Sequence, residues 1–105
     1  SEGGVAAALY RGEEFRARII AQWTCHGAPF IRGLAAPKGE AVLAIVRSDD
    51  PWYQPDRTQG QLGDCSAFFK TPARSRSLVI DGGAAHDVWG HVGAMRAALD
   101  FLRGQ

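Results

Sequence analysis

Three side chains able to do acyl-transfer chemistry stand in informative places. Ser1 precedes a run of small residues, Asp50 follows the apolar run of residues 41–48, and His86 follows the apolar run of residues 76–81. In open α/β sheets, ligands gather at the carboxyl ends of strands, so residues just past such runs carry the most information. Ser, Asp and His come here in the chain order nucleophile, acid, base of one kind of acyl-transfer triad. A neutral imidazole near its reference pKa of about 6.5 can take a serine proton and return it to a leaving group. A carboxylate behind it orients the ring and stabilises its charged form.

Each of these residues also has a plainer reading. A Ser before a helix is a common N-cap. Asp49 and Asp50 before Pro51 suit a turn on their own account. A lone loop histidine is usually a surface group. His26, in a glycine-rich loop, and His91, at a helix start, are weaker candidates; no second ligand at i+4 completes a metal site with either, so no metal and no cofactor is expected. A free amine on Ser1 would also suit an N-terminal-nucleophile hydrolase, but Asp50 and His86 would then be redundant.

These residues need elements to hold them. Residues 2–11 read as a helix, with small side chains at Gly3, Gly4, Ala6, Ala7 and Ala8, and with Val5, Leu9 and Tyr10 on one side. Small residues let a helix lie close to a strand. Residues 16–24, 41–48 and 76–81 read as strands whose continuous apolar runs suggest burial on both faces. Residues 65–70, CSAFFK, read as a short helix. Residues 91–104 place Val92, Met95, Leu99 and Leu102 at helical spacing, as expected of a helix packed on a sheet, with Gly104 as its stop. Buried strands alternating with helices predict an α/β fold with three parallel strands and flanking helices. Three such strands would leave an unpaired edge, along residues 18–23, so a further element is expected beside it.

Composition narrows the function classes. The chain has 105 residues, 46% hydrophobic and 22% charged, with a formal net charge of +1, which is ordinary for one globular domain spanning residues 1–105. No basic stripe points to nucleic acid: Arg11, Arg16 and Arg18 alternate with Glu13 and Glu14 and read as solvated faces. No apolar run approaches the ~20 residues needed to span a bilayer, so no membrane is expected; that these residues include no basic-then-apolar leader says nothing about export if they are the later part of a longer chain. Two cysteines, Cys25 and Cys65, permit one disulfide or two free thiols and fit no zinc framework.

The stretches SEGG, AVLAIVRSDDPW and LVIDGGAAHDVWG followed by RAALDFL together resemble the α/β-hydrolase superfamily, in its dienelactone-hydrolase-like branch. SEGG resembles the tail of a G-x-S-x-G-G elbow, the second stretch the acid-bearing strand and turn, and the third the histidine loop and last helix. The resemblance spans nearly the whole chain, as the C-terminal half of that fold beginning at the nucleophile. It implies a serine hydrolase of small carboxylic esters or lactones acting through an acyl-enzyme, with Ser1, Asp50 and His86 as triad. Asp50 rather than Asp49 matches the acid's place, although Arg47 stands where the family usually has glycine. The backbone N–H of Glu2 would supply one oxyanion donor, and an upstream loop the other; losing one such donor costs ~3 kcal/mol of transition-state stabilisation. Trp52, Tyr53, Trp89 and Phe30 would line the substrate pocket or else cap the sheet. Exported members of the branch can carry cysteines in both places, and the resemblance thus implies a Cys25–Cys65 disulfide and a periplasmic or secreted location. The expected partners are a small ester substrate and the N-terminal half of the fold, including a glycine and a buried strand ahead of Ser1, in this or another chain. The alternative is a non-catalytic or degenerate hydrolase scaffold that pairs with another chain.

Overall fold

The structure is a computed structural model that describes residues 2–23, 25–26, 32–48, 50, 64–80 and 88–105. In chain order its elements are α1 (Glu2–Leu9), β1 (Ala17–Ala21), β2 (Ala41–Arg47), 3-10 turns at Ser66–Phe68 and Pro72–Arg74, β3 (Arg76–Ile80) and α2 (Val92–Arg103). The strands form one parallel sheet in the order β1-β2-β3, with Ala17 opposite Ala41 and Leu43 opposite Arg76. The expected α/β arrangement of three parallel strands with flanking helices is present.

β2 is the spine. Its AVLAIV run is buried along its length, as expected of a strand paired on both edges and covered on both faces. The pleat sends alternate side chains to opposite faces. On one face Ile20, Val42 and Ala44 pack with Ala8 of α1, with Trp23, Ala36 and both cysteines; on the other, Leu43, Ile45 and Ile80 pack with Val88, Ala94 and Ala98. The outer strands differ from expectation. In β1 only Ile20 is fully buried, and in β3 only Ile80, with Val79 exposed. Among the described residues each of these strands pairs on one side only, so it lacks the second neighbour that covers β2.

Both helices face the sheet with their small residues. α1 buries Gly4 and Ala8, and α2 buries Ala94 and Ala98, each pair one turn apart. Most larger apolar groups point elsewhere: Leu9 at the end of α1 and Tyr10 just past it are exposed, as are Val92, Met95, Leu99 and Leu102 on α2. This corrects the expected packing of α2. Met95, Leu99 and Leu102 each follow a sheet-facing residue, Ala94, Ala98 and Phe101, by one position, so their stripe is turned about 100° around the axis. Alanines let the helix axis approach Leu43, Ile45 and Ile80 closely, and the longer side chains are carried outward.

Two boundaries also move. CSAFFK forms a 3-10 turn over Ser66–Phe68 instead of a longer helix. Six residues ahead of Thr71-Pro72 offer too few hydrogen bonds to offset helix nucleation, while Phe68 and Phe69 gain more by packing on the first core cluster. β1 ends at Ala21 because Gln22 turns the chain with φ of 61°, in the left-handed region. Trp23 then leaves the strand and enters the core at 1% exposure.

A disulfide joins Cys25 and Cys65 across a sequence separation of 40. Both sulfurs lie in the buried core. Beside the bridge, His26 Nε2 donates to the Asp64 carbonyl at 2.8 Å and its ring packs against Phe68. No helix among the described residues is long and apolar enough to cross a membrane.

Candidate active site

Parallel strands put all their carboxyl ends at one end of the sheet, and α1 runs back along β1 in the opposite direction. Two contacts fix that direction. Near the start of α1, Gly4 lies against the carbonyls of Ala21 and Gln22, at the carboxyl end of β1. At the other end of α1, the Arg18 guanidinium, near the start of β1, binds the carbonyls of Ala7 and Tyr10. The N-terminus of α1 therefore stands at the carboxyl end of the sheet.

Asp50 stands at the same end. The chain leaves β2 through a turn in which Ser48 N donates to Ile80 O at 2.8 Å and Asp50 N donates to Arg47 O at 3.2 Å. Asp50 is 1% exposed and ranks among the largest fully buried side chains of the described residues. Taking a carboxylate out of water costs several kcal/mol unless hydrogen bonds or opposite charge replace its hydration. A carboxylate buried to this extent is held by partners in the fold, beyond what the turn after Arg47 alone requires.

The remaining site residues divide by position. Glu2 is the first residue of α1 and its side chain is exposed, which leaves helix-terminal backbone N–H groups at this end of the sheet. Trp89 lies in the turn between Val88 and α2 and is 43% exposed. Ser1, His86, Asp49, Trp52, Tyr53 and Phe30 lie outside the described residues. The two weaker histidines have local roles: His26 bonds across to the Asp64 carbonyl, and His91 caps α2 by accepting from Ala94 N at 3.2 Å.

Two clefts among the described residues open at the opposite end of the sheet. One is lined by Arg16, Gly39 and Arg74 with the chain's last two residues, the other by Leu9, Arg11, Arg32 and Lys70 among others. Neither reaches Asp50 or the start of α1.

The sequence reading of Arg18 as part of a solvated face is corrected here. Its side chain is 9% exposed and pairs through Nε and Nη2 with both carboxylate oxygens of Glu40, itself 1% exposed. Glu40 reaches this place because Gly39, with φ of 102°, closes the Pro37–Glu40 turn just before β2. The signal was available in the pleat: Arg18 shares its strand face with Ile20, which is fully buried under α1. No family model matches this sequence, and no curated protein or solved structure matches it.

Proposed function

We propose that the chain is the C-terminal portion of an α/β-hydrolase of the dienelactone-hydrolase-like kind and hydrolyses small carboxylic esters or lactones. The observation that carries this reading is the fully buried Asp50 at the carboxyl end of β2, the same end to which α1 presents its N-terminus. Ser1 immediately precedes that helix in sequence. In this mechanism His86 takes the proton of Ser1 Oγ as the oxygen attacks the substrate carbonyl carbon. The oxyanion formed accepts a hydrogen bond from Glu2 N–H, where the helix dipole also favours negative charge. Collapse of the tetrahedral adduct breaks the ester C–O bond, and His86 passes its proton to the leaving alcohol. Water, deprotonated by His86, then attacks the acyl-enzyme, and the carboxylic acid departs as Ser1 recovers its proton. Asp50 holds the ring and offsets its charge.

The test is labelling by a fluorophosphonate, carried out on the chain together with any segment that precedes Ser1. Modification at Ser1 that is abolished by His86→Ala and strongly slowed by Asp50→Asn, but not by Asp49→Asn, supports the reading. Modification that ignores His86, or no modification, removes it.

The exposed stripe of α2 favours a second element of the proposal. Val92, Met95, Leu99 and Leu102 are each 43–69% exposed and line one side of a helix whose other side already meets the sheet. Together with the edge of β1 that pairs with no strand among the described residues, this supports a further layer covering α2 and a strand beside β1, whether in the same chain or another. Should labelling fail, the same surface favours a scaffold that pairs with another chain. The Cys25–Cys65 bridge supports an oxidising compartment, periplasmic or secreted.

A further inference from the structure

The Arg18–Glu40 pair is more elaborate than a strand-to-loop tie requires. Glu40 takes Nε and Nη2 of the guanidinium, leaving Nη1 to donate to Ala7 O at 2.8 Å, Tyr10 O at 3.0 Å and Ala8 O at 3.5 Å. One cation thus donates to carbonyls at and just past the end of α1, where a helix needs both hydrogen-bond donors and positive charge. The planar fork is what allows one side chain to serve a carboxylate and a helix end together.

At the same end of α1, Ala35 N also donates to Ala8 O at 2.8 Å. Of the eight residues of α1, EGGVAAAL, only Gly4 and Ala8 are buried. Glycine and alanine present a smooth surface to β1, and dispersion contacts between smooth surfaces resist separation more than sliding. Directional hydrogen bonds at one end do resist sliding. Gly4, meeting the carbonyls of Ala21 and Gln22, limits how near the helix lies, and Arg18, together with the Ala35 N–H, limits where along β1 it stops.

We infer that Arg18, held by Glu40, is a positioning residue that helps set the axial placement of α1 and, through it, of the Glu2 N–H at the opposite end of the helix, the residue that Ser1 precedes in sequence. This rests on the reading of Ser1 as the nucleophile. The clamp touches no substrate; it acts through the helix. A displacement of about 1 Å at reacting groups can cost about 100-fold in rate, and a helix advances only about 1.5 Å per residue. Attack and oxyanion binding develop in the transition state, so the loss falls on kcat and leaves KM nearly unchanged.

The test uses two variants. Arg18→Lys keeps the charge and loses the fork. The double variant Arg18→Met/Glu40→Met removes both charges together, so that no unpaired ion is left buried. Hydrogen exchange of the Ala6–Leu9 amides is read against that of β2, and ester hydrolysis is normalised to the labelled fraction of Ser1. In the double variant the α1 amides exchange at least about tenfold faster with β2 protection unchanged, and kcat falls about 100-fold at constant KM. Arg18→Lys recovers only part of either. Unchanged α1 exchange, or full recovery by lysine, overturns the inference. If the parent protein neither labels nor hydrolyses esters, the hydrolase reading fails by itself, and the exchange measurement alone decides whether Arg18 fixes the helix.

Discussion

Gly4 and Ala21 are in backbone contact: a Cβ added at Gly4 would lie 2.6 Å from the Ala21 carbonyl oxygen and 2.9 Å from that of Gln22. Replacing a helical glycine by alanine ordinarily stabilises by about 1 kcal/mol. Here the obstacle is backbone, which cannot swing aside, and overpacking of this kind costs about 1–3 kcal/mol. Gly4→Ala is therefore expected to destabilise the chain, seen as a lower urea midpoint, and to slow labelling of Ser1. An unchanged or higher midpoint would mean that α1 does not lie this close to β1.

Removing the disulfide enlarges the unfolded ensemble. With a separation of 40 residues, the loop-closure model assigns the bridge about 4 kcal/mol. Cys25→Ala/Cys65→Ala is expected to lower stability by that order, with denaturing thiol titration of the parent finding no free thiol before reduction. Two thiols in the unreduced parent would contradict the bridge.

Asp64 supplies a pH signature. The Ser66 hydroxyl and backbone N–H both donate to its Oδ1, at 2.6 and 2.9 Å, and with the nearby His26 they hold its carboxyl below the ordinary value. A group depressed in the folded state contributes stability above its unfolded pKa of about 3.9 and loses it as pH falls through the folded value. Ser66→Ala is expected to raise the Asp64 pKa toward the ordinary range in an NMR titration. Its stability deficit should be full at pH 7 and shrink in acid. A deficit that does not change with pH would place the effect elsewhere.

The two sides of α2 should respond unequally to polarity. Leu99 is 50% exposed, so Leu99→Gln is expected to cost about 1 kcal/mol or less. Ala98, one residue earlier, is 6% exposed against Leu43, Ile45 and Ile80. Ala98→Gln pushes an amide and extra volume into that cluster and should cost at least about 2 kcal/mol. Thermal melts of the two variants check the orientation, and the reverse ranking would turn the helix over.

Much of the layout was legible because continuous apolar runs and glycine boundaries report strands directly. β2 is the clearest case, and the helix order around it followed from alternation. The small-residue contact of α1 with a strand was legible in Gly3, Gly4 and the alanines. The Cys25–Cys65 pairing came from resemblance, since two cysteines alone leave bridge and thiols open. The facing of the helices was not legible: periodicity of Met95, Leu99 and Leu102 reports a shared side, but not whether sheet or something else covers it. Arg18 reads as solvated until its strand neighbours are considered. Asp50 could be named from sequence, whereas its burial depends on how the chain turns after Arg47.

The disulfide also has a topological meaning. Cys25 follows β1 and Cys65 precedes β3, so the whole of β2 lies within the covalent ring, with its two pairing partners attached just outside. An oxidised chain that unfolds keeps those outer strands tethered near each other and near the strand that must insert between them. The search for parallel pairing, slow when contacts are distant in sequence, is shortened for that chain alone. The bridge then acts as a memory of strand order, which survives unfolding and is erased by reduction.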